Sequence, residues 1–86
     1  MNSSCLKWEY VEGHPGHLVV RGRDCEIYLA PRPPYCDRGS WLAQLETRPP
    51  LTRAIDEADA WPRYYFDLGR AKLEIEAWLE KRGLVL

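Results

Sequence analysis

Residues 17–30, with the sequence HLVVRGRDCEIYLA, decide the fold of this chain because they contain two strand-forming runs joined by a tight turn. Strand-favouring residues fill both arms, 17–21 and 25–30, and Gly22 in the three-residue connector is able to adopt a positive φ. In the second arm apolar and polar residues alternate, which puts Cys25, Ile27 and Leu29 on one face. The stretch therefore predicts an antiparallel hairpin with Cys25 in the core.

Two further runs, residues 6–12 and 41–47, flank this hairpin and show the same alternation of apolar and polar positions. Glycine and proline at 13–16, and the three prolines within 31–34, end strand pairing between the runs. Residues 51–55, after Pro49 and Pro50, form a candidate last edge strand. The chain is therefore predicted to form an antiparallel meander of about four strands.

The C-terminal segment has the spacing of an amphipathic helix. Asp67 is a suitable N-cap, and one apolar stripe follows it at helical spacing: Leu68, Ala71, Ile75, Trp78 and Leu79. Gly83 suits the left-handed position after a helix, and Leu84 can then fold back on Leu79. The predicted fold class is α+β, an antiparallel sheet packed by one C-terminal helix in a single domain over residues 1–86.

Composition narrows the classes of function. A chain of 86 residues has room for one core, and its net charge of −1 provides no overall attraction to nucleic acid. No stretch approaches the roughly 18 apolar residues of a membrane span, so we expect no membrane partner. Three cysteines without a CxxC pair fit neither a disulfide framework nor a zinc ribbon, which favours a reducing, cytoplasmic location.

Residues 61–66, WPRYYF, hold four aromatic side chains within six positions just before the helix. Side chains alternate along an extended segment, so they cannot all point inward. Exposed aromatic rings beside arginine are typical of protein-interaction hot spots. The alternative is that Trp61 and Phe66 fill the core while the tyrosines lie flat at its edge. We predict a partner-binding surface formed by Arg32, Tyr35, Arg38, Arg63, Tyr64 and Tyr65, and a homodimer stays open as one way to cover it.

Arginine interleaved with tyrosine is also the composition of single-strand nucleic-acid binding sites, in which bases stack on aromatic rings. The residues in question are Arg21, Arg23, Arg32, Arg38 and Arg63, with Tyr28, Tyr35, Tyr64 and Tyr65. The neighbouring acids and the near-neutral total charge argue against a nucleic-acid binding surface. Nucleic-acid binding therefore stands as the alternative function, and its steep salt dependence would distinguish it.

Three chemical constellations are weaker. His14 and His17, with Cys25 or Cys36, could supply zinc ligands, and Cys36 beside Arg38 could act as a nucleophile. The third constellation consists of carboxylates that could hold magnesium: Asp56, Glu57, Asp59 and Asp67. None has the spacing of an established motif, and the acidic run 56–59 is expected to be exposed. We predict no enzymatic activity, no catalytic residue, no metal and no cofactor.

Residues 34–39, PYCDRG, and 56–66, DEADAWPRYYF, precede a helix in which Ala71-Lys72 leads to Trp78-Leu79. With this pattern the chain, over residues 25–82, resembles small uncharacterised proteins that phages and prophages of proteobacteria encode. The resemblance implies a role in host takeover or in countering host defence, anti-CRISPR activity included. Such proteins commonly act by binding a host machine without chemistry of their own. The expected function is therefore a non-enzymatic protein-interaction module that inhibits a host protein or defence system.

Overall fold

A computed structural model of the chain, which describes residues 6–33 and 37–86, shows an antiparallel sheet of five strands with one C-terminal helix. The elements are β1 (Trp8–Tyr10), β2 (Leu18–Gly22), β3 (Cys25–Pro31), β4 (Trp41–Thr47), β5 (Arg63–Tyr65) and α1 (Leu68–Lys81), with 3-10 turns at Leu51–Ala54 and Glu57–Asp59. The strands lie in the sheet in chain order, so each one pairs with its neighbour in sequence. The predicted α+β meander is confirmed, and β5 is the strand added to it.

The central hairpin forms as predicted, but Gly22 serves a different purpose. Gly22 is the last residue of β2 and pairs with Cys25, while the positive φ of 60° in the turn belongs to Asp24. A Cβ on Gly22 would lie 2.8 Å from the carbonyl oxygen of Leu84 and 2.9 Å from a methyl of Leu79. Glycine is therefore required at this position because the chain after the helix passes directly over it. The positive φ that Gly22 is able to adopt is not used at this position.

One face of the sheet and one stripe of α1 form the core. The fully buried strand residues are Val20, Cys25, Ile27, Leu29 and Ala43, and the helix contributes Ala71, Ile75 and Leu79. Cys25 is therefore a core residue, as predicted. Burial raises the pKa of its thiol, which keeps the sulfur in the unreactive protonated form.

The caps of α1 follow the sequence closely. The Asp67 carboxylate accepts a hydrogen bond from the Arg70 amide at 2.8 Å. After the helix, Gly83 adopts a φ of 70° and its amide donates to the Glu80 carbonyl, while the Leu84 amide donates to the Leu79 carbonyl at 2.8 Å. These two bonds form a Schellman motif, which returns Leu84 to the core.

The predicted last edge strand at residues 51–55 is wrong, because Leu51–Ala54 forms a 3-10 turn. In this turn the Thr52 amide donates to the Arg48 carbonyl, and the hydroxyls of Thr47 and Thr52 lie 2.9 Å apart. The free side of β4 is taken instead by Arg63–Tyr65. The aromatic segment therefore enters the sheet as its edge strand.

In the described part of the chain, no helix combines the length and the apolar character that crossing a bilayer requires. The one α-helix has 14 residues, Leu68–Lys81. At about 1.5 Å per residue it is about 21 Å long, which is shorter than the hydrocarbon thickness of about 30 Å.

Replacement of Gly22 by alanine should lower the free energy of unfolding by about 1 to 3 kcal/mol, because the added methyl meets a backbone carbonyl. Chemical denaturation of the two proteins measures the change. Arg23→Ala, an exposed position in the same turn, should stay within about 0.5 kcal/mol of the parent. An unchanged midpoint for Gly22→Ala would contradict the close approach of Leu84 to the hairpin.

Candidate functional site

The four aromatic residues of segment 61–66 divide between the two sides of β5. Tyr65 is 8% exposed and lies in the core, whereas Tyr64 is 37% exposed on the opposite face and Phe66 is 72% exposed. Trp61 packs edge-on against Trp78 with ring centroids 5.2 Å apart. The expectation that the rings cannot all point inward is confirmed. The alternative packing holds for Trp61, which packs against the core, but not for Phe66, which is exposed, nor for Tyr65, which lies in the core instead of at its edge.

Two arginines stand over the exposed tyrosine. The guanidinium carbon of Arg32 lies 4.6 Å from the centroid of the Tyr64 ring, and that of Arg38 lies 5.6 Å from it. Both distances permit cation–π attraction. Leu42, half-buried on β4, is directly opposite Tyr64 in the strand register. We refer to Arg32, Arg38, Leu42 and Tyr64 as the Tyr64 cluster.

The described residues of the β3–β4 loop, 32–33 and 37–40, support this cluster through Arg32 and Gly39. The Nη1 of Arg32 donates to the Gly39 carbonyl at 3.1 Å. Gly39 has a φ of 128°, and a Cβ there would lie only 2.4 Å from the carbonyl oxygen of Tyr65. Only glycine lets the loop lie this close to β5, which is how Arg38 comes to stand over Tyr64.

Two other predicted contact residues, Arg63 and Tyr65, direct their side chains elsewhere. Arg63 donates through Nη2 to the Asp59 carbonyl at 2.7 Å, and its guanidinium covers the Trp61 ring at 4.3 Å. Tyr65 is buried, so its ring is not available at the surface, and its hydroxyl has no hydrogen-bond partner. Tyr35 lies outside the described residues, as does Cys36. The structure therefore brings Arg32, Arg38 and Tyr64 together, while the Arg63 guanidinium binds at Asp59 and Trp61 and the Tyr65 ring lies in the core.

Tyr28, a proposed stacking platform for nucleic acid, lies beside carboxylates. Its hydroxyl donates to Glu26 Oε1 at 2.9 Å, and this bond raises the pKa of the Tyr28 hydroxyl and lowers that of the Glu26 carboxyl. Glu26 and Glu9 also bind Arg21, whose charge is thereby neutralised. This part of the sheet face is therefore poorly suited to phosphate.

Asp59 forms the most extensive polar contacts in the described chain, and sequence reasoning missed it. The acidic run was expected to be exposed, but Asp59 is only 6% exposed. Its carboxylate accepts from Trp78 Nε1 at 3.0 Å, from Arg82 Nε at 3.1 Å and Nη2, and from the Asp56 amide at 3.0 Å. The sequence signal that could have located it is the capping box of Asp56 and Asp59, three residues apart.

These contacts set the protonation of Asp59. The hydrogen bond from the Arg82 guanidinium, followed by those from the Asp56 amide and the Trp78 indole, lowers the pKa of Asp59 from 3.8 to about 2. The carboxylate is therefore ionised at all ordinary pH values, and it holds the segment before β5 against the end of α1.

The side chains predicted as candidate magnesium and zinc ligands do not come together in the described structure. Asp56 accepts from the Ala58 amide and Asp67 caps α1, while Asp59 binds Arg82, so these acids do not share a site. The rings of His14 and His17 lie 5.4 Å apart in an exposed turn. Within residues 6–33 and 37–86, no three metal-ligating side chains form a group.

The stability contributed by the Asp59 carboxylate should be present above pH 3.8, its usual pKa, and be lost as pH falls towards about 2. Thermal melting measured over this range tests the prediction. Asp59→Asn should melt lower at pH 7 and show a flatter acid profile. Glu57→Gln, exposed in the same turn, should retain the parent profile; identical profiles for Asp59→Asn and the parent would contradict the role of Asp59.

Comparison with protein-family models, with curated proteins and with solved structures found no match for this chain. The resemblance to phage-encoded proteins therefore stays a prediction.

Proposed function

We propose that this chain is a non-enzymatic protein-binding module and that the Tyr64 cluster is the centre of its contact surface. The observation that carries the proposal is a partly exposed ring with two guanidinium groups within 6 Å of it. In the described structure neither arginine is paired with a carboxylate, so both charges are available to a partner.

The composition and rigidity of the cluster favour a protein partner. Tyrosine and arginine are, with tryptophan, the residues enriched at energetic centres of protein interfaces. Arg32 is already anchored on Gly39 and the ring is carried by a strand, so little side-chain freedom remains to be lost on binding. Phe66, two residues further along the chain, is a second exposed aromatic side chain.

Nucleic-acid binding is the alternative, and the charges weigh against it. Glu9, Glu26 and Glu46 lie on the same sheet face as Tyr64 in the strand register. Arg21 on that face is already bound by two of these carboxylates. Phosphate binding needs a continuous positive surface, which the described part of this face does not provide.

The resemblance to phage and prophage proteins supports a host protein as the partner. The module would inhibit that protein by occupying a site on its surface. A partner of this kind would be met in the cytoplasm, which agrees with the expectation from the cysteine content. No catalytic group is required for this mode of action.

The experiment is affinity capture from host lysate with the parent protein, Tyr64→Ala and Tyr10→Ala, after nuclease treatment and across a salt series. Tyr10 is the control because it is 80% exposed on β1 at the opposite edge of the sheet. We expect a protein that the parent and Tyr10→Ala retain at high salt and that Tyr64→Ala loses. Melting curves of all three proteins verify that the variants are folded.

The captured protein, once purified, should bind Arg38→Ala at least about tenfold more weakly than the parent, equivalent to about 1.4 kcal/mol. Equal capture by Tyr64→Ala and the parent would overturn the proposal. Recovery of nucleic acid alone, released by salt, would favour the alternative function.

A further inference from the structure

The strand register leaves one backbone N–H and one backbone C=O of β5 directed away from β4, towards the open edge of the sheet. The Arg32 amide donates to the Ser40 carbonyl, so these opposed residues form a hydrogen-bonded pair. Such pairs alternate along an antiparallel ladder, which directs the backbone groups of Leu42 towards β3 and those of Trp41 and Ala43 towards β5. On β5, Tyr65 and Arg63 therefore bond to β4.

The backbone N–H and C=O of Tyr64, between these two residues, consequently point to the open edge. No backbone hydrogen bond joins them to another described residue on that side. An edge strand with unpaired groups is a template for pairing with a further strand. Here the template is short, because β5 spans only Arg63–Tyr65 and follows Pro62, which has no N–H.

A shallow groove of about 470 Å³, widely open to solvent, lies beside residues 62–65 of this edge. Its lining includes the consecutive residues 62–65, so it follows the strand, and Arg38 and Glu74 contribute from the β3–β4 loop and from α1. A strand placed in this groove would continue the sheet with its residue opposite Tyr64 on the same face as the Tyr64 cluster.

The charges of the groove favour an acidic occupant. Arg38 has no carboxylate partner among the described residues, and Arg63 bonds to a carbonyl rather than a carboxylate. Glu74, the acid in the lining, is already paired with Arg70 at 2.6 Å. The groove is therefore lined by two arginines, Arg38 and Arg63, whose charges no carboxylate of the described residues neutralises. A second copy of this chain is disfavoured, because pairing two β5 edges would bring both arginines of each copy to one seam.

From this geometry we infer that β5 accepts an extended, acidic segment of a partner protein as a sixth strand, with the partner backbone bonded to Tyr64 and a carboxylate reaching Arg38. The inference rests on the proposed protein-binding function and specifies how the partner binds. Main-chain bonds at Tyr64 set the register, and the arginines select acidic side chains.

The test is amide hydrogen exchange followed by NMR with short synthetic peptides as probes. The first peptide alternates valine and aspartate, the second replaces aspartate by lysine, and the third is the acidic peptide methylated at every central amide nitrogen. In the free protein the Tyr64 amide should exchange rapidly while the Arg63 and Tyr65 amides are protected.

The acidic peptide, at saturating millimolar concentration, should slow exchange of the Tyr64 amide at least about tenfold. The lysine and methylated peptides should not, since one lacks the charge and the other lacks the strand donors. Arg38→Glu should reverse the preference between the acidic and lysine peptides. Arg53→Glu, which makes the same charge change at an exposed position in the 51–54 turn, should keep the preference of the parent.

Three outcomes would overturn the inference: a Tyr64 amide already protected in the free protein, no protection by the acidic peptide, or equal protection by its methylated form. The proposed function is judged separately by affinity capture. If capture depends on Tyr64 but the Tyr64 amide still exchanges rapidly in the purified complex, strand addition fails while the protein-binding function stands. If capture is independent of Tyr64, the proposed function fails as well.

Discussion

The position of β5 depends on the hydrogen bonds that Asp59 accepts. A strand of three residues has few ladder bonds of its own, so its placement needs a second anchor. Asp59 provides it, because its carboxylate binds Trp78 and Arg82 at the end of α1 while its carbonyl accepts from Arg63 on β5. The C-terminal end of the helix and the edge of the sheet are thus tied through one residue.

This anchor explains why a nearly buried charge is retained in so small a core. An ionised carboxylate is costly to bury unless donors replace the water it loses, and here an indole, a guanidinium and a backbone amide do so. The arrangement is directional, since the donors come from two parts of the chain, the end of α1 and the turn that begins at Asp56. A hydrophobic residue at position 59 could fill the space but could not fix these orientations.

The Tyr64 cluster follows from that fixed strand. Alternation along β5 exposes Tyr64 because Tyr65 is committed to the core, and Gly39 lets the loop approach closely enough for Arg38 to cover the ring. The open backbone groups of Tyr64 and the positive charge of Arg38 therefore lie at the same edge of the sheet. Each feature alone is common on protein surfaces; the proposed binding of an acidic strand rests on their coincidence at this edge.

The sequence by itself determined the central hairpin, the burial of Cys25 and α1 with both caps, because these depend on residues close together in the chain. It also required that the rings of segment 61–66 divide between two faces. Which ring faced outward was decided by the tertiary structure, since the partner of β4 could have been residues 51–55 or 63–65. The same holds for Gly22, whose role depends on Leu84, and for Asp59, whose partners Trp78 and Arg82 lie 19 and 23 residues away. Contacts between residues so far apart in sequence leave no periodicity to detect, so only the folded chain could reveal them.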